Sequence, residues 1–155
     1  MKEFIPFMRN LFLAAILVLP FQAALAAARD EIPGPVEAKV LRVIDGDTLL
    51  VEARPWPQQK VEVYVRIRGI DTPELRSSCL SERQTGAAAK ASLERMTAAA
   101  PTVHLSHISG DKYFGRVVAD VTLPDGARPA DHLLLAGLAV GYDGGRKSKI
   151  SCTSP

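Results

Sequence analysis

Three short islands of this 155-residue chain combine acids, arginines and turn residues at spacings that could do chemistry. They are Ile44-Asp45-Gly46-Asp47-Thr48, then Arg66-Ile67-Arg68-Gly69-Ile70-Asp71-Thr72-Pro73-Glu74, then Asp111-Lys112-Tyr113-Phe114-Gly115-Arg116. Carboxylates are hard oxygen ligands suited to calcium or magnesium, and the arginine fork matches a phosphate, so the mixture suggests metal-assisted attack on a phosphodiester. Such an ester is an anion. Water attacks it only when its oxygens are neutralised, which one cation and two arginines can do in a dry cleft. Pro73 fixes its own φ and biases Thr72 towards extended conformations, which leaves Glu74 well placed to hold a water. Taken singly, each island is weak: a hairpin turn, a turn start and a solvated loop would read the same way.

The elements that must position these islands are short. Val36 to Ile44, Thr48 to Ala53 and Val61 to Arg68 are β-branched runs of strand length, and the third alternates Val61, Val63, Val65 and Ile67 against Glu62, Tyr64, Arg66 and Arg68. Asp45-Gly46 is a tight hairpin signal, whereas Arg54 to Gln59 makes a looser connection, and Gly69 to Ser81 reads as irregular. From Glu82 to Ala100 good helix formers dominate, with Ala89, Leu93, Met96 and Ala100 at helical spacing before Pro101. Thr102 to Ile108 and Gly115 to Leu123 predict two more strands, and a short helix follows through Asp131 to Ala136, ended by Gly137. The fold class expected is β-rich α+β, a five-stranded OB-type Greek-key barrel with one inserted amphipathic helix and a short second helix.

In this order the islands resemble the staphylococcal nuclease (thermonuclease-like) family. Its markers are an Ile-Asp-Gly-Asp-Thr turn, an Arg five residues before an Asp-Thr-Pro-Glu segment, and a later Lys-Tyr-Gly-Arg loop; the match runs from about Val36 to Tyr142. The resemblance implies a calcium (Ca2+) dependent nuclease that cleaves DNA and/or RNA, leaves 3'-phosphate ends and prefers single-stranded or frayed substrate. It casts Asp47, Asp71 and the carbonyl of Thr72 as calcium ligands, with Asp45 as their support. Arg66 is cast as the phosphate clamp, Glu74 as the group that orients or deprotonates water, and Arg116 as the cation that meets charge on the phosphorane and leaving oxygen. The sequence departs from the pattern at Phe114, an extra aromatic between Tyr113 and Gly115, and it stops soon after Tyr142, where longer members continue into a further helix.

Residues 1–26 start with sparse positive charge, run through the apolar block Leu11 to Phe21 and close on Ala24-Leu25-Ala26, which predicts a signal peptide and a secreted or periplasmic protein. An uncleaved membrane anchor is the alternative; Pro20 and Gln22 interrupt it. Cleavage would leave no stable membrane association and a monomer is expected. Residues 27–35 read as a flexible leader and 36–155 as one domain. Removing Lys2, Glu3 and Arg9 leaves 17 basic against 16 acidic side chains, a formal +1, so a nucleic acid must be met by a local basic cluster. Cys79 and Cys152, the two cysteines of an exported chain, predict a disulfide.

Blander readings stand beside these. Lys112, Tyr113 and Tyr142 suit substrate binding, with the tyrosines stacking on bases, but half-buried packing tyrosines are as common. Arg68, Arg76 and Arg83 either track a nucleic-acid backbone or keep the surface soluble. His104 and His107, three apart on a strand, point to opposite faces and make no zinc pair. The competing function class is a non-catalytic OB module that binds single strands or a protein; it has no need of all five of Asp47, Arg66, Asp71, Glu74 and Arg116. A carbohydrate-binding barrel is unsupported by a chain with one Trp.

Overall fold

A computed structural model of the protein describes residues 30–145 and Cys152; the expected signal peptide lies outside the described residues. The elements in chain order are β1 (Glu31–Ile32), β2 (Val36–Val43), β3 (Thr48–Ala53), β4 (Val61–Ile67), β5 (Gly69–Asp71), α1 (Leu80–Ala99), β6 (Thr102–Gly110), β7 (Arg116–Thr122), α2 (Pro129–Leu135) and β8 (Val140–Tyr142). β2 to β4 pair as antiparallel neighbours, β4 runs parallel to β7, and β6 pairs antiparallel with both β7 and β2. That last ladder closes the ring, giving a five-stranded mixed barrel with two helices, the expected OB-type architecture.

Alternation decides which side chains fill the barrel. Val65 and Ile67 on β4 are buried, with Arg66 between them on the outer face, and Leu49, Val51, Val103, Leu105, Ala119 and Val121 repeat the pattern around the ring. The predicted apolar face of β4 holds at this end only, because Val61 is exposed where the strand leaves the core. Leu93 of α1 and Leu133 of α2 are fully buried against the barrel, each stabilising the fold by about 1.5–3 kcal/mol.

Three short strands were not legible in the chain. β1 falls inside the expected leader, where Glu31 and Ile32 pair with Ser109 and Ile108, so that part is docked on β6. β5 and β8 form a separate two-stranded ladder, Gly69 opposite Tyr142 and Asp71 opposite Val140; β5 lies within the stretch read as irregular and β8 beyond the last predicted element. The end of α2 matches expectation: Gly137 takes φ +67°, and Leu138 N–H reaches Leu133 O at 2.9 Å. Cys79 and Cys152 are joined, which ties Cys152 to the residue just before α1.

Candidate active site

The first two islands meet because of one register. β3 and β4 pair with Thr48 opposite Arg66, and Ile67 N–H donates to Asp47 O at 2.8 Å, so the β2–β3 turn and the exit of β4 share one end of the barrel. Asp45 Oδ1 accepts the N–H of Asp47 at 3.1 Å, an Asx turn that fixes the direction of the second acid. The tight hairpin read at Asp45-Gly46 is thus a loop spanning Ile44 to Thr48, closed by Ile44 N–H on Thr48 O at 2.9 Å.

Arg66 lies between two carboxylates. Its Nη1 donates to Asp47 Oδ1 at 3.1 Å and its Nη2 to Asp71 Oδ1 at 2.6 Å. Asp47, only 2% exposed, also takes the Thr48 hydroxyl on Oδ1 at 3.0 Å and the backbone N–H of Thr72 on Oδ2 at 2.9 Å. Burial pushes the Asp47 carboxyl up to about 6, against the Arg66 charge that lowers it; Asp45 pushes the same way as burial. Arg66 stays firmly protonated, since the two acids outweigh its desolvation. Tyr142, brought here by the β5–β8 ladder, sets its ring 5.4 Å from Arg66 Cζ and donates its hydroxyl to Gly145 O at 2.8 Å. The tyrosine expected on substrate therefore packs on the Arg66 guanidinium.

Two glycines permit this approach. A Cβ on Gly46 would lie 2.6 Å from Ala89 Cβ and 2.8 Å from Thr72 Cγ2, and one on Gly86 would lie 2.4 Å from Pro73 O. The α1 backbone thus presses on the Thr72-Pro73-Glu74 segment while the Asp45–Thr48 turn presses on α1. Nothing in the local sequence marks either glycine for this, because the need arises only when the three elements meet. Glu74 is exposed at the edge of this contact, and its carbonyl accepts Ser77 N–H at 3.3 Å.

The third island is the β6–β7 turn. Parallel pairing sets Arg116 opposite Tyr64 and Val118 opposite Arg66, so Arg116 shares the barrel face of Arg66, two residue pairs away along the strand. Its Nε donates to Asp111 Oδ2 at 2.7 Å, and its guanidinium lies 4.7 Å from the Tyr113 ring centre. Lys112 Nζ lies 5.1 Å from the same ring. Burial would raise the Asp111 carboxyl, but the Arg116 hydrogen bond and charge, with the N–H groups of Lys112 and Tyr113, hold it below the ordinary value.

Two arginines read as backbone trackers or surface charges are structural. Arg68 Nη2 donates to His107 O, to Ser109 Oγ at 2.9 Å and to Val118 O at 3.2 Å, filling a bulge where β6 loses register and His107 takes φ +49°. The bulge turns His107 Nδ1 onto Asp120 at 2.9 Å. Arg83 Nη1 binds Ser77 O at 2.8 Å, bracing the turn before α1.

No curated protein matches the chain. The family model of staphylococcal nuclease homologues matches residues 64–152, from the middle of β4 through the second cysteine. More than half of the chain is covered by that match, and the protein belongs to the staphylococcal nuclease homologue family.

Proposed function

We propose that the protein is a calcium-dependent phosphodiesterase that hydrolyses DNA or RNA at the barrel end occupied by Asp47, Arg66 and Asp71. One observation carries this reading: a single guanidinium is shared by two carboxylates from different islands, at 3.1 and 2.6 Å. A structural ion pair needs one acid. Two acids against one base leave negative charge that a further cation can balance.

The donor chemistry fits a hard divalent cation held by few protein groups. Asp47, Asp71 and the Thr72 carbonyl would hold it; no group of three or more His, Cys, Asp or Glu side chains stands together as a metal cage among the described residues. Calcium takes six to eight oxygens in irregular geometry, so water and substrate would complete its shell. When bound it would supply concentrated positive charge against the phosphate oxygens. Arg66 would clamp the phosphate in two-pronged fashion, Arg116 would meet charge developing on the leaving oxygen, and Glu74 would orient the attacking water and take its proton. Lys112 and Tyr113 flank the path of the strand. Export to an oxidising compartment, secreted or periplasmic, is supported by the Cys79–Cys152 bond together with the leader composition.

Purified protein incubated with end-labelled single-stranded DNA and RNA, in calcium or in excess chelator, tests the proposal. Calcium-dependent cutting is expected. Undiminished cutting in chelator removes the metal mechanism, and binding without cutting makes the protein a strand-binding module.

A further inference from the structure

The turn between β6 and β7 carries an aromatic side chain that the fold does not use. Asp111 N–H donates to Arg116 O at 3.2 Å, Arg116 N–H donates to Tyr113 O at 3.3 Å, and Gly115 takes φ +80°, so the backbone closes on both sides of Phe114. The Asp111–Arg116 ion pair braces the same turn. Phe114 thus projects from a fixed base, and its ring is wholly exposed, at 109% of its reference area. Tyr113 is exposed too, but its ring already meets Arg116 and Lys112.

Cations and further rings neighbour the turn that carries Phe114. Arg116 lies opposite Tyr64, itself exposed, and the neighbouring pair on the same barrel face contains Arg66. Rings and cations therefore adjoin here: Tyr64 lies opposite Arg116, Arg116 and Lys112 both meet the Tyr113 ring, and Phe114 is the next residue of the same turn. That is the composition of a surface for single-stranded nucleic acid, in which cations take phosphates and rings take bases. A lone exposed apolar side chain means little. Here the flanking Lys112 and Arg116 supply the charge complement of a polyanion.

We propose that Phe114 stacks on an unpaired base adjacent to the phosphate met by Arg116, and that this extra ring sharpens discrimination of single strand from duplex. A base inside a duplex is already stacked on its neighbours, so its face is closed to the ring until the strand opens. Within the cations of this turn, Phe114 is the side chain with a π-face open to a base; Tyr113 positions Arg116. This specificity role rests on the nuclease reading above, but its decisive measurement is binding and needs no turnover.

Phe114→Ala, Phe114→Trp and the parent are compared in a Glu74→Gln background, so that the strand survives. Affinities are measured for a fluorescent single-stranded oligonucleotide, for its duplex, and for the same strand with abasic positions throughout its centre. Phe114→Ala is expected to weaken single-strand binding by about thirtyfold, which is the middle of the range for one base–aromatic stack. Phe114→Trp restores it, duplex affinity stays level, and the thermal midpoint does not move. The parent should lose about the same factor on the abasic strand, and Phe114→Ala should not distinguish abasic from intact. Equal single-strand affinity of parent and Phe114→Ala overturns the proposal, as does an equal loss on the abasic strand or a parent that binds no strand. Self-association that Phe114→Ala abolishes, with oligonucleotide binding unchanged, assigns the ring to a protein contact and also overturns it. Should the expected affinity pattern appear while the wild-type protein cuts nothing, the stacking role holds and the nuclease reading falls.

Discussion

Thr48 and Arg66 are cross-strand partners on β3 and β4, and this one register puts the Asp47 carboxylate within 3.1 Å of the Arg66 guanidinium. A slip by one residue would turn Arg66 into the barrel and Val65 out of it, so the hydrophobic pattern of β4 specifies the site as well as the core. Arg66→Lys keeps the charge but cannot hold Asp47 and Asp71 together or grip a phosphate with two prongs. Cleavage should fall by roughly 10²–10³, the usual effect of losing one transition-state donor, while calcium dependence persists. Steady-state kinetics on single-stranded DNA checks this; wild-type turnover in the variant removes Arg66 from the reaction.

Much of this was legible in the chain. The five barrel strands are β-branched runs with visible alternation, and the islands keep their chemistry in contiguous residues. What could not be read has a physical reason. Gly69-Ile70-Asp71 and Val140-Gly141-Tyr142 are too short for periodicity and contain glycines, so their pairing follows from where the barrel brings them. Tyr142 reaches Arg66 through that ladder. The functions of Gly46 and Gly86 depend on three elements meeting, and the left-handed His107 depends on a bulge that has no local signal.

Calcium should act on stability as well as activity. Ligand that binds only the folded state at 100 times its dissociation constant adds about 2.7 kcal/mol. The thermal midpoint should rise with calcium, fall back with chelator, and lose its calcium response in Asp47→Asn. An unchanged response in Asp47→Asn would place the cation elsewhere.

Reduction of Cys79–Cys152 should weaken the fold substantially. The two cysteines are 73 residues apart, and closing a loop of that size is worth about 4 kcal/mol in the chain-entropy account. The Cys79→Ser, Cys152→Ser double variant should melt well below wild type. Alkylation of wild type in denaturant without reductant should find no free thiol.

Asp111 gives a pH signature. Its folded carboxyl is held below its ordinary value of 3.8, so the unfolded chain binds the proton more readily. The stabilisation is complete above the unfolded pKa and is lost as pH falls through the lower, folded one. Urea midpoints taken from about pH 5 to about pH 2 should therefore decline less steeply in Asp111→Asn than in wild type. Parallel acid limbs would show that the Arg116 pair adds no net stability.

Gly86→Ala separates position from chemistry at Glu74. In an ordinary helix interior the change stabilises by up to about 1 kcal/mol. Here the new methyl would sit 2.4 Å from Pro73 O, a backbone atom that cannot rotate away, so α1 or the Thr72–Glu74 segment must shift. Overpacking of this kind costs about 1–3 kcal/mol, and the net effect should be destabilising. The displaced segment carries Glu74, so turnover should fall although no proposed catalytic side chain has changed. Glu74→Gln is the counterpart: it keeps the backbone contact and removes the charge, and should lower turnover by roughly 10²–10⁴ with little change in thermal midpoint. Thermal melts and kcat for both variants distinguish the cases. If Gly86→Ala melts higher than wild type and cuts as fast, the close approach of α1 does not position Glu74. If Glu74→Gln cuts as fast, the carboxylate does not handle the attacking water.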